Sequence, residues 1–236
     1  MTPDLSILET VMLTAGDHAP GGSVCAMEAL ACAMGLPHSD APACTDAPLA
    51  ALFRRVNDWS GWQTDAARTA FLRPYLQRLG RLALADRHAP ATAYGYAAAD
   101  VACRVIAPLS LDAAGRGGEA ATLRGLACVV DEATARAGAA AADAANAYAT
   151  AYAAYAADAA NAAGYVADAA ADAAYAVSVA AADATADAAA TYAARATYAA
   201  TYAATYAEAV GALLTRLLDV CEAGAWPLPD GFVGAV

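Results

Sequence analysis

An all-α fold follows from three features of this sequence. An Ala-dominated segment keeps helical phase, helix caps and breakers recur at helical spacing ahead of it, and nothing reads as a strand ladder. The segment runs from Ala139 to Val210. Of its 72 residues 41 are Ala, none is Leu, Ile, Phe or Met, and no Pro interrupts it. Ala loses the least free energy of any residue on entering a helix, so this composition favours one.

Taken in order, Leu5 to Thr14 reads as a short helix stopped near Gly16. Pro20-Gly21-Gly22 is a turn, and Ser23 is placed to cap a helix reaching Met34, ended by Gly35 and Pro37. Asp46 or Thr45 caps the next helix, about Pro48 to Trp59, which puts Leu49, Leu52, Phe53 and Val56 on one face and Arg54 and Arg55 on the other. A further helix is expected from Thr64 to Leu84, bent or split at Pro74. Ala91 to Ile106 and Gly118 to Ala137 follow, separated by loops at Pro108 and Gly115–Gly118.

The Ala-rich segment shows two azimuths, from which Tyr165, Tyr175 and Tyr192 depart. At about 100° per residue from Tyr148, the side chains of Tyr152, Tyr155, Val166, Val177, Tyr198, Tyr202 and Tyr206 fall within about 40° of one direction. Asp143, Asp158, Asp168, Asp172, Asp183, Asp187 and Glu208 gather on another side. Leu213, Leu217 and Val220 continue the Tyr side, which predicts one amphipathic helix from about Ala139 to Glu222. The alternative is a segment folded back into a helical bundle, with the reversal near Gly164 or Val177-Ser178-Val179. The domain expectation is a compact head over 1–137, the long helix over 138–223 and a non-helical tail over 224–236 containing Trp226-Pro227-Leu228-Pro229.

The net charge of −11 sits mostly in the second half: residues 1–138 carry 14 acids and 11 Arg, residues 139–236 carry 10 acids and 2 Arg. An acidic helix repels phosphate backbones, so no nucleic-acid partner is expected. Acids recur along the segment, so no membrane span is expected either. The six Cys show no paired metal spacing or dense disulfide framework, and the amino terminus lacks a signal-peptide pattern; both point to the cytoplasm.

Residues Cys25-x-Met27-Glu28-Ala29, Gly35, His38-Ser39-Asp40-x-Pro42-x-Cys44 and Asn57-Asp58 together resemble a family of uncharacterised Ala-rich proteins of actinobacteria and their phages. The resemblance covers about residues 5–60 and implies a head joined to an Ala-rich tail, with no activity attached. The tail here carries Tyr where that family carries Trp and Arg.

Two kinds of chemistry can be drawn in the head. Cys25, near a helix start, could be a nucleophile with Glu28, His38 and Asp40, or Cys25, His38 and Cys44 could hold a metal. Against both, buried Cys25, Cys32 and Cys44 serve as small core residues, Ser39 and Asp40 cap loop amides, and Asp58 ends a helix. His18 and His88 stand beside turns and read as solvated. Gly115-Arg116-Gly117-Gly118 lacks the spacing and Lys of a phosphate loop, so no cofactor is expected. Thr197, Thr201 and Thr205 align at i+4, which raises ice binding, but the wider Thr pattern does not repeat every 11 residues. The sequence therefore favours a non-catalytic scaffold. Its candidate partner face is Tyr148, Tyr152, Tyr155, Tyr198, Tyr202 and Tyr206, an apolar stripe to be covered by the chain's own amino-terminal helices, by a second copy or by another protein.

Overall fold

The computed structural model describes residues 2–16, 18–59, 61–113, 115–153, 203–230 and 232. Among them the chain is all-α. The helices are α1 (Ile7–Thr10), α2 (Ala26–Ala33), α3 (Ala47–Asn57), α4 (Asp65–Leu84), α5 (Ala91–Val101), α6 (Ala107–Ala113), α7 (Gly117–Arg124), α8 (Glu132–Ala153) and α9 (Ala203–Ala223), with a π turn, Ala102–Ile106, between α5 and α6.

Local chemistry corrects several expected boundaries. The first helix lasts one turn, because Leu13 leaves it to make an isolated parallel bridge with Val24. That bridge also holds the chain extended as far as Cys25, so Cys25 and not Ser23 occupies the cap of α2. Thr64 caps α4 through its hydroxyl, which accepts from Ala67 N at 3.1 Å, and α4 continues through Pro74 without a split. Pro108 does not end a helix either. Lacking an N–H for the carbonyl four residues earlier, it follows a widened π turn that carries the helical path from α5 into α6. The helix expected from Gly118 stops at Arg124. A fresh start at Asp131 launches α8, where Thr134 N donates to Asp131 Oδ1 at 2.8 Å and Thr134 Oγ1 accepts from Val130 N at 3.0 Å.

One apolar core joins the head to both described ends of the Ala-rich segment. It contains Leu30, Leu49, Phe53, Leu72, Leu76 and Tyr94 from the head, Ala135 and Ala139 from α8, and Val210, Leu213, Leu214 and Leu217 from α9. Both α8 and α9 pack against α5 and the π turn. Gly138 allows the first contact: a Cβ there would stand 3.2 Å from Cys103 Sγ.

Shared packing of the two ends excludes a single straight helix over 139–222. A straight helix would separate Ala139 from Leu213 by roughly 110 Å, whereas α5 is about 16 Å long. The two described ends, α8 and α9, therefore seat on the same part of the head; the residues between Ala153 and Ala203, with Gly164 and Val177-Ser178-Val179 among them, lie outside the described residues. Further ties lock α9 down. Arg78 Nη2 on α4 donates to Asp219 Oδ1 at 2.8 Å and Glu222 Oε2 at 2.7 Å. After α9 the tail folds back, and Trp226 and Leu228 pack against the core.

Candidate functional site

The residues singled out in the head converge on the start of α2. Cys25 sits at the cap with extended backbone, and its thiol accepts from the Glu28 N–H while the Glu28 carboxylate accepts from the Cys25 N–H at 2.7 Å. This reciprocal pair is a capping box with Cys in the place usually held by Ser or Thr. Glu28 is 2% exposed. Its Oε1 accepts from His18 N at 2.7 Å, and its Oε2 accepts from His18 Nδ1 at 2.8 Å. His38 Nε2 lies 3.3 Å from Glu28 Oε1 and donates to the His18 carbonyl at 2.6 Å.

A second layer fixes the loop that carries His18. Asn57, fully buried at the end of α3, accepts from Ala26 N through Oδ1 at 3.2 Å. Its Nδ2 donates to Thr14 O and to Asp58 Oδ1, each at 2.8 Å. Asp58 Oδ1 also accepts from Gly16 N at 2.7 Å. Arg68 on α4 reaches in from below, donating through Nε to Asn57 O at 2.7 Å. Asn57 thus ties α2, α3 and the 14–18 loop together.

Gly16, Cys25, Asp40, Arg54 and Asp58 line a half-open cavity of about 250 Å³. Arg54 Nη1 donates to the Asp40 carbonyl at 2.9 Å, and its Nε lies 3.8 Å from Asp40 Oδ2. Ser39 Oγ accepts from Ala41 N at 3.1 Å, as a loop-capping role requires.

The electrostatics oppose thiol chemistry. Burial, with the Glu28 carboxylate beside it, pushes the Cys25 thiol up to about 11 despite the N–H bonds it accepts, so little thiolate exists near neutral pH. Burial also works against the Glu28 charge, but the N–H groups of Cys25 and His18 and the His18 ring outweigh it and hold the carboxyl down at about 2. Glu28 is thus an anion near neutral pH whose three donors, Cys25 N, His18 N and His18 Nδ1, are structural. Of the metal candidates, His38 donates through Nε2 to a backbone carbonyl and Cys44 is partly buried against the core. Among the described residues no group of three His, Cys, Asp or Glu side chains could hold a metal ion.

Cys25, Glu28, His38 and Asp40 are therefore neighbours, joined by capping and loop contacts. His18, expected to be solvated, is mostly buried on Glu28. It lies ten residues away across a turn, and no spacing rule could have signalled it. Asn57 had a signal only in its adjacency to Asp58 within the resemblance. The side chains of Tyr148, Tyr152 and Tyr206 lie outside what is described, although their backbones are helical. Tyr155, Tyr198 and Tyr202 lie wholly outside the described residues, as do Thr197 and Thr201. No described helix is long and apolar enough to cross a membrane.

Comparison of the chain with protein-family models, with curated proteins and with solved structures gives no match.

Proposed function

We propose that this chain is a non-catalytic helical interaction protein of the cytoplasm, whose head serves as a rigid mount for the Ala-rich segment. One observation carries the reading. The head's chemistry-bearing cluster is consumed by its own fold, with the Glu28 carboxylate closing the α2 cap and holding the His18 loop. Residues that carry the family resemblance (Cys25, Glu28, His38, Asp40, Asn57 and Asp58) gather at that same place, which fits a shared structural module. In this reading Tyr148, Tyr152, Tyr155, Tyr198, Tyr202 and Tyr206 are the residues through which the segment would bind a second copy of the chain or another protein.

Light scattering across a concentration series tests the self-association arm. A mass above one chain at tens of micromolar, reduced by changing Tyr152 and Tyr202 to Ser, supports it; a strictly monomeric species counts against it. The competing metal- or thiol-enzyme reading is tested separately. Bound zinc or iron near one equivalent in protein purified without chelator, or a Cys25 that labels faster than the exposed Cys32, overturns the non-catalytic reading.

A further inference from the structure

Asp46 stands at the cap of α3, yet its carboxylate makes no bond to that helix's amides. It reaches across to the connection between α4 and α5. Oδ1 lies 2.7 Å from His88 Nδ1, while Oδ2 accepts from Ala89 N at 3.1 Å and from the Tyr94 hydroxyl at 2.5 Å. The other ring nitrogen, His88 Nε2, lies 3.3 Å from Asp86 Oδ1. A carboxylate opposite each nitrogen suits the doubly protonated ring, because a neutral imidazole would aim a lone pair at one of them.

The connection Asp86–Ala89 also holds the carboxyl-terminal helix, through Arg87 and His88. The Cys221 thiol donates to Arg87 O at 3.2 Å. Gly224, at φ +68°, brings its backbone so close that a Cβ would stand 3.3 Å from His88 O. Asp86 itself adopts φ +50°, a left-handed conformation that Asp tolerates better than most residues. Asp46, at the start of α3, and the end of α9 thus meet on Asp86–Ala89, with Tyr94 of α5 bonded to the same Asp46 carboxylate.

We propose that His88 is a proton-operated clasp, its imidazolium drawing the α4–α5 connection onto Asp46 and so setting how firmly that connection grips α9. The titratable groups around it are Asp46 ahead of α3, Asp86 beside it, Tyr94 on α5 and Cys221 on α9, with Arg78 on α4 and Glu222 acting on the Cys221 thiol. The hydrogen bond to Asp46 is the largest influence on the ring and raises its pKa above 6.5, against a smaller opposing effect of burial. A raised folded pKa means the clasp contributes fully below 6.5 and is lost as pH rises through the folded value.

The experiment is a pH series on the full chain, reading the His88 ring by nitrogen-detected NMR and the Ala89 and α9 carboxyl-terminal amides by hydrogen exchange. His88 is expected to titrate above 6.5 and to move down in Asp46→Asn and in Asp86→Asn. Exchange corrected for intrinsic base catalysis should rise about threefold through that titration in the native chain and stay flat in His88→Gln. Asp86 is 94% exposed, so its variant keeps the test usable if Asp46→Asn fails to fold. A ring titrating at or below 6.5, or the same exchange profile in His88→Gln as in the native chain, overturns the clasp.

Discussion

The indole N–H of Trp226 donates to the carbonyl of Val129 at 2.7 Å, across 97 residues of chain. One partner precedes the Ala-rich segment and the other follows it, so this bond closes the segment onto a single place in the head. Arg216 adds to the seat, its guanidinium lying 5.4 Å from the Trp226 ring centroid. Trp226→Phe keeps the ring and loses the donor, and should cost about 1 kcal/mol, while Trp226→Ala loses the packing as well and should cost about 3 kcal/mol. Urea unfolding followed by circular dichroism measures both, and equal losses would mean that the hydrogen bond, and not the ring, does most of the holding.

Arg78 should matter more than an ordinary surface ion pair. Its side chain is 10% exposed and one nitrogen serves two carboxylates on α9. Arg78→Ala leaves Asp219 and Glu222 together without their cation, and the expected loss is about 3 kcal/mol. Adding Asp219→Asn and Glu222→Gln to that variant should recover part of it. No recovery in the triple variant would show that packing of the Arg stem dominates.

Glu28 predicts an acid limb to stability. Its pKa is lowered from 4.5 to about 2, so the stabilisation it supplies is present above 4.5 and is lost as pH falls toward 2. Glu28→Gln should cost about 2 kcal/mol at neutral pH, the usual range for hydrogen bonds to a charged group, and should flatten that acid limb. Denaturation midpoints at pH 7, 4 and 2.5 provide the comparison. An unchanged slope in the variant would assign the acid limb to other carboxylates.

The thiols should react in an order set by exposure and not by helix position. Cys32 is exposed, Cys44 and Cys128 are partly buried, and Cys25, Cys103 and Cys221 are buried. Burial raises Cys103 to about 12, slightly beyond Cys25 at about 11. Under native conditions Cys32 should label first and Cys25 only on a timescale of local opening, with all six labelling together in denaturant. Mass spectrometry of timed samples reads the order.

Helix identity was legible in the sequence wherever a strong former met a strong breaker. Thr64 gave the start of α4, and the apolar face of α3 was correctly placed on Leu49, Leu52, Phe53 and Val56, all fully buried. Two boundaries differ from the sequence reading, one through a contact between separate loops and one through a local change of helix type. Ser23 lost the cap of α2 because Leu13 bridges Val24. Pro108 stayed within a helical path because a π turn absorbed it. Phase coherence in the Ala-rich segment predicted helix at both its described ends, but phase alone could not show that those two ends share a seat on α5. The cluster around Glu28 was half visible. Cys25-x-x-Glu28 has capping-box spacing, while His18 was recruited by a turn whose geometry no periodicity encodes.

Because α8 and α9 both pack on α5, the stretch between Ala153 and Ala203 is topologically an insertion whose two flanks are held by one body. Changing the length of such an insertion alters mainly a logarithmic closure entropy, about 0.6 kcal/mol for each doubling. Residues added to or removed from that stretch therefore leave the base beneath it nearly untouched, and its length is the dimension the fold constrains least.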